Sequence, residues 1–226
     1  MTRQRGIARL LKTMFDRAAA TVLLVLLSPA ILIIAGSILL VMGRPVLFRQ
    51  TRPGYRGRPF TFLKFRTMRE SRSPDGVLLA DSVRLTPLGR LLRRMSLDEF
   101  PQLINIMRGE LSFVGPRPLL PAYLDRYTPE QARRHDVIPG LTGWAQVNGR
   151  NALNWDKKFA LDLWYVDHWS LMLDLRIMMR TLGIVIRGEG VTHPGESTMP
   201  EFLGSGSTEG QSRNGGPDHP IRNEGR

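Results

Sequence analysis

The chain has 226 residues, a formal net charge of +12 and no cysteine. This length is sufficient for one domain with a buried core and appended segments. The lack of cysteine excludes disulfide bonds and thiolate metal sites, and it is compatible with a reducing compartment. The strong positive charge favours anionic partners, which include nucleic acid, anionic lipid and phosphorylated small molecules.

An uncharged apolar segment, Ala18 to Met42, lies near the N-terminus. Its length of about 25 residues is enough to cross a bilayer as one helix and too great for a signal peptide. Basic residues flank it on both sides, and positive charge tends to stay on the cytoplasmic side. Ser28 and Pro29 lie near its middle, where proline removes a helix hydrogen bond. The segment is therefore either a re-entrant hairpin broken at Ser28-Pro29 or a kinked helix that spans the bilayer.

The next stretch predicts a β-hairpin followed by a helix. Two β-prone runs, Val46 to Gln50 and Phe60 to Phe65, are separated by a turn that contains proline and glycine. Thr86 suits the N-cap of a helix, and Pro87 suits its first position. Apolar residues at helical spacing then form one stripe, which consists of Leu88, Leu91, Leu92 and Met95.

Later regions predict less regular structure and then long helices. Leu111 to Pro121 predicts a short strand and a proline-stiffened turn, and Ile138 to Asn151 a glycine-rich loop. Trp155 to Arg187 has a predominantly helical composition, and the polar tail from about Gly204 predicts disorder. Four aromatic residues of the helical region suit either a membrane interface or core packing: Trp155, Trp164, Tyr165 and Trp169.

Two acids, Asp98 and Glu99, stand side by side in "RRMSLDEFPQL". Ser96 and Glu99 match a capping box, but that helix start would place Pro101 where its ring and missing N–H disrupt the helix. A helix with Asp98 as N-cap, running to Arg108, accommodates Pro101. The helix N-terminus and the nearby arginines favour the ionised carboxylate. Ionised Asp98 can cap the helix, bind a hard cation such as Mg²⁺ or attack phosphorus.

Five basic residues in strands and turns complement these acids. Each of them alone is typical of a solvated surface charge. Together with the acids and the apolar segment, they suggest a site for a phosphate-rich ligand. The five residues are Lys64, Arg66, Arg93, Arg117 and Arg150.

The stretch from about Lys12 to Val191 resembles the bacterial sugar transferase family, the monotopic phosphoglycosyl transferases. Each matching segment is weak alone, but the ordered series is specific. Larger relatives carry membrane helices before this core, so the chain resembles the minimal form. The segments are "FDRAAATVLLVLLSPAIL", "PVLFRQTRPGYRGRPFTFLKFRTM", "RLTPLGRLLRRMSLDEFPQLINIMRGELSFVGPRPLL", "PGLTGWAQVNGRN" and "LDLWYV".

The resemblance implies an α+β, membrane-embedded monotopic enzyme. Its expected parts are a re-entrant helix broken at Ser28-Pro29, a small β-hairpin and several interfacial amphipathic helices. The expected domains are residues 1–43 for the basic N-terminal segment and membrane helix, 44–203 for the catalytic domain and 204–226 for the disordered tail. The catalytic domain is expected on the cytoplasmic face of the bacterial inner membrane.

The resemblance also implies a reaction. Such enzymes transfer a sugar 1-phosphate from a UDP-sugar to a polyprenyl phosphate such as undecaprenyl phosphate and release UMP, which initiates assembly of an exopolysaccharide, capsule, O-antigen or protein glycan. The family's acid pair falls on Asp98, the nucleophile of a covalent phosphosugar intermediate, and on Glu99, which handles a proton or orients the acceptor phosphate. Mg²⁺ on the donor diphosphate is the implied cofactor, with Asp98 as its protein ligand. The residues expected to bind substrate phosphate are Lys64, Arg66, Arg93, Arg117 and Arg150.

Three alternatives remain at this stage. A non-enzymatic peripheral protein would hold anionic lipid through its basic surface and would not need the two acids. A nucleic-acid binder is suggested by charge alone, and no recognition motif supports it. Direct attack by the lipid phosphate would dispense with the covalent intermediate. The expected partners are a UDP-sugar, a polyprenyl phosphate and membrane lipid, without nucleic acid, while the sugar, the pathway and homo-oligomerisation stay open.

Overall fold

The computed structural model describes residues 4, 6–149, 153–187 and 201–204. These residues form a mixed structure of helices and short strands, which agrees with the predicted α+β class. The α-helices are α1 (Gly6–Met42), α2 (Asp81–Arg84), α3 (Pro87–Arg94), α4 (Gln102–Arg108), α5 (Pro129–Ala132), α6 (Trp144–Val147), α7 (Trp155–His168) and α8 (Leu171–Arg187). The strands are β1 (Leu47–Pro53), β2 (Pro59–Phe65), β3 (Ser112–Val114) and β4 (Gly140–Thr142).

Helix α1 is continuous over 37 residues and includes Pro29. The prediction that Ser28 and Pro29 break this helix into two pieces is therefore wrong. Pro29 has no N–H to donate to the carbonyl of Val25, but the Ser28 hydroxyl donates to that carbonyl at 2.8 Å. The carbonyl that proline leaves free thus keeps a partner, and the helix continues past it.

Both ends of α1 contact the same body of strands and helices. Near the N-terminal end, Lys12 forms an ion pair of 2.6 Å with Asp174 of α8. Near the C-terminal end, Ile38 is buried beside Phe65 of β2 and Leu92 of α3. The helix therefore lies along this body over most of its length.

The opposite face of α1 exposes apolar side chains. The most apolar window of α1 has a mean hydropathy of 2.7, and only 6% of it is buried. A core helix of a soluble protein would bury most of such a window. By length and composition α1 is able to cross a membrane. The exposed residues include Val22, Val25, Leu26, Leu32, Ile33 and Leu40.

The predicted hairpin is confirmed as an antiparallel pair of β1 and β2, in which Leu47 lies opposite Phe65. The predicted start of α3 is confirmed as well, since the Thr86 side chain accepts a hydrogen bond from the N–H of Gly89 at 2.9 Å. The predicted strand near Leu111 is β3, which pairs in parallel with β4. These elements follow from local turn and capping signals.

The glycine-rich segment from Ile138 to Asn151 is not the predicted loop, because it contains β4 and α6. A Cβ atom on Gly140 would lie 2.1 Å from the backbone nitrogen of Gly115. The glycine at this position therefore permits a close approach of two backbones next to the β3–β4 pair. A glycine of this kind cannot be distinguished from a loop glycine by composition alone.

The predicted helical region from Trp155 to Arg187 is confirmed as α7 and α8. Tyr165 and Trp169 are 1% and 7% exposed, so these two aromatic residues serve core packing. Trp164 is 40% exposed and stacks on Trp144 with ring centroids 5.0 Å apart. Helix α8 carries an exposed apolar stripe that suits an interfacial helix, made of Leu171, Met172, Leu175, Met179, Leu182 and Ile186. Its membrane contact stays a prediction, as do the domain boundaries, and the predicted tail lies outside the described residues beyond Gly204.

Candidate active site

The two acids lie in a short 3-10 turn, Leu97–Glu99, that precedes α4. The prediction that Asp98 caps a helix is wrong, because α4 begins at Gln102 and Pro101 occupies the N-cap position without a side-chain cap. Hydrogen bonds between residues three apart, such as Phe100 N–H to the Leu97 carbonyl at 3.3 Å, carry the chain from the acids into the helix. This tight turn directs the Asp98 side chain into the interior, where the residue is 6% exposed.

Two cations from separate parts of the chain meet at Glu99. The ammonium of Lys64, at the end of β2, lies 2.7 Å from Glu99 Oε1. The guanidinium of Arg117, in the turn after β3, donates to the same oxygen at 2.7 Å. Lys64 also lies 3.5 Å from Asp98 Oδ2 and thus bridges the two carboxylates. Two of the predicted phosphate-binding residues, Lys64 and Arg117, thus contact the acid pair, and their binding of substrate phosphate stays a prediction.

The buried side-chain amide of Asn105 joins β2, which ends near Lys64, to α4, which follows the acids. The Asn105 side chain, on α4, accepts a hydrogen bond from the N–H of Leu63 at 3.1 Å. Its amide nitrogen donates to the carbonyl of Thr61 at 2.7 Å. Asn105 is 0% exposed and therefore ties α4 to the backbone of β2. Sequence reasoning missed this residue, since a polar side chain within a helix has no local signal for such a contact.

The pKa values of the two carboxyl groups are shifted in opposite directions. Burial, followed by the nearby charge of Glu99, raises the pKa of Asp98, although Lys64 opposes this shift. Burial also acts to raise the pKa of Glu99, but the Arg117 and Lys64 cations outweigh it, and the net pKa lies well below the usual range. Glu99 is therefore a permanent anion at neutral pH, while Asp98 is a buried and less stabilised carboxylate.

The other predicted basic residues occupy different positions. Arg93 contributes a positive charge that lowers the pKa of Asp98, and its Nε donates to the Thr67 hydroxyl at 3.0 Å. Arg66 donates to the carbonyl of Gly43 at 2.7 Å and to that of Met42, so its guanidinium caps the C-terminal end of α1. Arg150 lies outside the described residues.

The acids line a cavity of about 1560 Å³, which Lys64, Arg66, Arg93 and Arg117 line as well. Sequence reasoning missed further basic residues on its wall, and two of them, Lys158 and Arg52, have lowered pKa values. Burial lowers the pKa of Lys158 to about 8, and burial followed by the charge of Arg117 lowers that of Arg52 to about 10. Both residues reach the cavity through tertiary packing, which no local motif predicts.

The described residues contain no group of three or more histidine or acidic side chains able to hold a metal ion. Mg²⁺, however, commonly takes one or two carboxylates together with substrate phosphates and waters. Asp98 in a cavity walled by cations fits that arrangement only when a phosphate ligand is bound beside it. Asp98 as a metal ligand thus remains a prediction.

Asp98 is buried, Glu99 is partly exposed, and lysine and arginine hold this acid pair at the wall of a large cationic cavity, an arrangement that suits an enzyme acting on anionic substrates. The family model described as bacterial sugar transferase matches residues 7–188. The chain therefore belongs to the bacterial sugar transferase family.

Curated relatives agree with this assignment. The chain is 54% identical over 197 residues to the uncharacterized sugar transferase EpsL of Bacillus subtilis, with 87% of this chain and 98% of that protein covered. It is 40% identical over 187 residues to the UDP-glucose:undecaprenyl-phosphate glucose-1-phosphate transferase of Escherichia coli, with 78% of this chain and only 40% of that protein covered. It is 38% identical over 203 residues to the exopolysaccharide production protein ExoY of Rhizobium meliloti, with 82% and 90% covered.

Proposed function

We propose that this enzyme transfers a sugar 1-phosphate from a UDP-sugar to undecaprenyl phosphate or a similar polyprenyl phosphate and releases UMP. The observation that carries the proposal is the pairing of Asp98 and Glu99 with Lys64 and Arg117 at one cavity wall. The names of relatives support a UDP-glucose donor and a role in exopolysaccharide synthesis. The reaction would take place at the cytoplasmic face of the bacterial inner membrane.

In the first step, a carboxylate oxygen of Asp98 attacks the phosphorus that carries the sugar. A bond forms between Asp98 and that phosphorus, and the bond to the oxygen that bridges the two phosphates breaks. UMP leaves with the bridging oxygen and its electron pair. Asp98 suits this role because burial strips its carboxylate of solvent, so the ion is less stabilised than Glu99.

In the second step, a phosphate oxygen of the polyprenyl acceptor attacks the same phosphorus, and the bond to Asp98 breaks. The product is the lipid diphosphate sugar, and the Asp98 carboxylate is restored. Lys64, Arg93 and Arg117 offset the repulsion among anionic groups in both steps. Mg²⁺ held by Asp98 and the donor diphosphate would add further neutralisation of the leaving phosphate.

The cavity also offers a path for the lipid acceptor. Its lining includes, besides the acids, Leu23 and Leu27 of α1 and Leu182 and Val185 of α8. Both helices expose apolar side chains on their outer faces. An isoprenoid chain that follows this path would stay in apolar surroundings while its phosphate reaches Lys64. Separate routes for a soluble donor and a membrane acceptor suit a covalent mechanism, in which the two substrates react in turn.

The test is UMP release from a panel of UDP-sugars with undecaprenyl phosphate and Mg²⁺ in a membrane mimic. Wild type is expected to release UMP with at least one donor, and the Asp98→Asn variant to lose the reaction. The donor that reacts would identify the sugar. If folded wild-type protein releases no UMP with any donor but binds anionic vesicles, the chain is a lipid-binding protein and the proposal is wrong.

A further inference from the structure

A buried ion pair joins the turn after α5 to α7. Arg134 follows α5 in a 3-10 turn, Arg133–Asp136, and Asp162 lies in the middle of α7. Arg134 Nη2 is 2.7 Å from Asp162 Oδ2, and Arg134 Nε donates to the same oxygen at 3.2 Å. Both side chains are only 2% exposed. Neither residue appears among the cavity-lining residues.

Arg134 makes one more contact that reaches the active site. Its Nη2 donates to the backbone carbonyl of Arg117 at 2.8 Å. Arg117 stands between Pro116 and Pro118, which have no N–H to anchor this turn. The Arg117 side chain in turn holds Glu99 at 2.7 Å. A chain of direct contacts therefore runs from Asp162 through Arg134 and Arg117 to Glu99.

We infer that Arg134 and Asp162 are positioning residues of the transfer site, which fix the backbone of Arg117 so that its guanidinium stays on Glu99. A buried ion pair seldom stabilises a fold more than a well-packed apolar pair does, because both charges lose their hydration. Besides its hydrogen bond to the Tyr127 hydroxyl at 3.3 Å, what Arg134 supplies towards the active site is the donor to the Arg117 carbonyl. The consequence for catalysis rests on the proposed function, whereas the geometric claim does not.

The test variant is Arg134→Met combined with Asp162→Leu, which removes both charges so that neither is left buried without its partner. The matched control is Arg133→Met combined with Asp167→Leu. This pair joins the same two elements one turn away, is about one-third exposed, and has no contact with Arg117 among the described residues. Thermal unfolding confirms that both variants fold before the other measurements are made.

The first readout needs no activity. The side-chain nitrogen NMR signals of the Arg117 guanidinium, assigned with Arg117→Lys, should be shifted from those of free arginine in wild type, because its Nη2 donates to Glu99. In the Arg134 variant, loss of the contact that fixes the Arg117 backbone should move these signals towards those of free arginine. The control should behave as wild type. Unchanged Arg117 signals in the folded Arg134 variant, or an equal change in the control, would overturn the inference.

The second readout is the rate of UMP release. The Arg134 variant is expected to lose on the order of 100-fold in kcat, with a smaller change in KM for the UDP-sugar, because misplacing a group by about 1 Å carries such a cost. The control is expected to keep its rate. Wild-type protein without any UMP release would refute the proposed function, and the NMR signals of Arg117 would still decide the positioning role. Full activity in the Arg134 variant would contradict the catalytic part of the inference.

Discussion

At the scale of single residues, Asp98 and Glu99 are adjacent in sequence but have opposite energetic roles. Glu99 receives Lys64 and Arg117, each at 2.7 Å, and its charge therefore stabilises the fold. Asp98 is buried with one more distant cation at 3.5 Å, so its charge opposes folding. This asymmetry is typical of a reactive group that is held in place by a structural neighbour.

The asymmetry predicts opposite effects of two isosteric substitutions on thermal unfolding at neutral pH. Glu99→Gln should lower the free energy of unfolding by about 2 kcal/mol, because two cations lose a charged partner. Asp98→Asn should raise the unfolding temperature, because a buried charge is removed. Glu70→Gln, in the exposed ion pair with Arg72, is the control and should have no measurable effect. Equal destabilisation by Asp98→Asn and Glu99→Gln would refute the assignment.

The dependence on pH follows from the same two shifts. The depressed pKa of Glu99 adds stability above its unfolded value, about 4.5, and this stability is lost as pH falls towards the folded value. The raised pKa of Asp98 reduces stability at neutral pH, and this penalty disappears as pH falls through the raised value. The advantage of Asp98→Asn over wild type should therefore shrink on acidification.

At the scale of elements, α1 has two faces with different tasks. Leu27 lines the cavity, whereas its neighbour Leu26 is 68% exposed on the outer face. Ser28 and Pro29 follow directly, and Pro29 has no N–H to donate to the backbone carbonyl four residues before it. This part of the helix therefore lacks one backbone hydrogen bond, and the Ser28 hydroxyl donates to the free carbonyl instead. The proposed acceptor path passes along the inner face only.

This division predicts that Leu27→Trp raises KM for undecaprenyl phosphate by about tenfold, since a blocked path removes contacts worth about 0.8 kcal/mol for each buried methylene group. The donor half-reaction without acceptor should keep its rate. Leu26→Trp adds the same bulk to the outer face and should leave both quantities unchanged. Steady-state kinetics at varied acceptor concentration measures KM for both variants. Equal effects of the two substitutions on KM would exclude a path between α1 and α8.

At the scale of the whole molecule, the sequence predicted the elements that have local signals. The cap at Thr86 and the turn between β1 and β2 are determined by residues that are close together in the sequence. The start of α4 was misjudged, because Pro101 tolerates several positions near a helix start. Gly140 was assigned to a loop, because its close contact with Gly115 depends on a strand far away in sequence.

The candidate site was predicted in its charged residues but not in its supports. Lys64 and Arg117 have few local reasons to meet Glu99, and their grouping with the acids is predicted from the kinds of residue present and from the resemblance to the family. Asn105 and Arg134 were missed, since buried polar side chains act through partners that are distant in sequence. The chemistry of a site is thus easier to predict than the contacts that hold its geometry.

The proposed mechanism requires that Asp98 carries the sugar phosphate during transfer. The most direct test is the mass of the intact protein after incubation with a reactive UDP-sugar and Mg²⁺, in the absence of polyprenyl phosphate. We expect one equivalent of UMP and one added sugar phosphate per protein. Peptide mapping should locate the sugar phosphate on Asp98, and it should be lost when the acceptor is supplied. An unmodified protein that releases UMP only when the acceptor is present would contradict the claim and establish direct attack by the lipid phosphate.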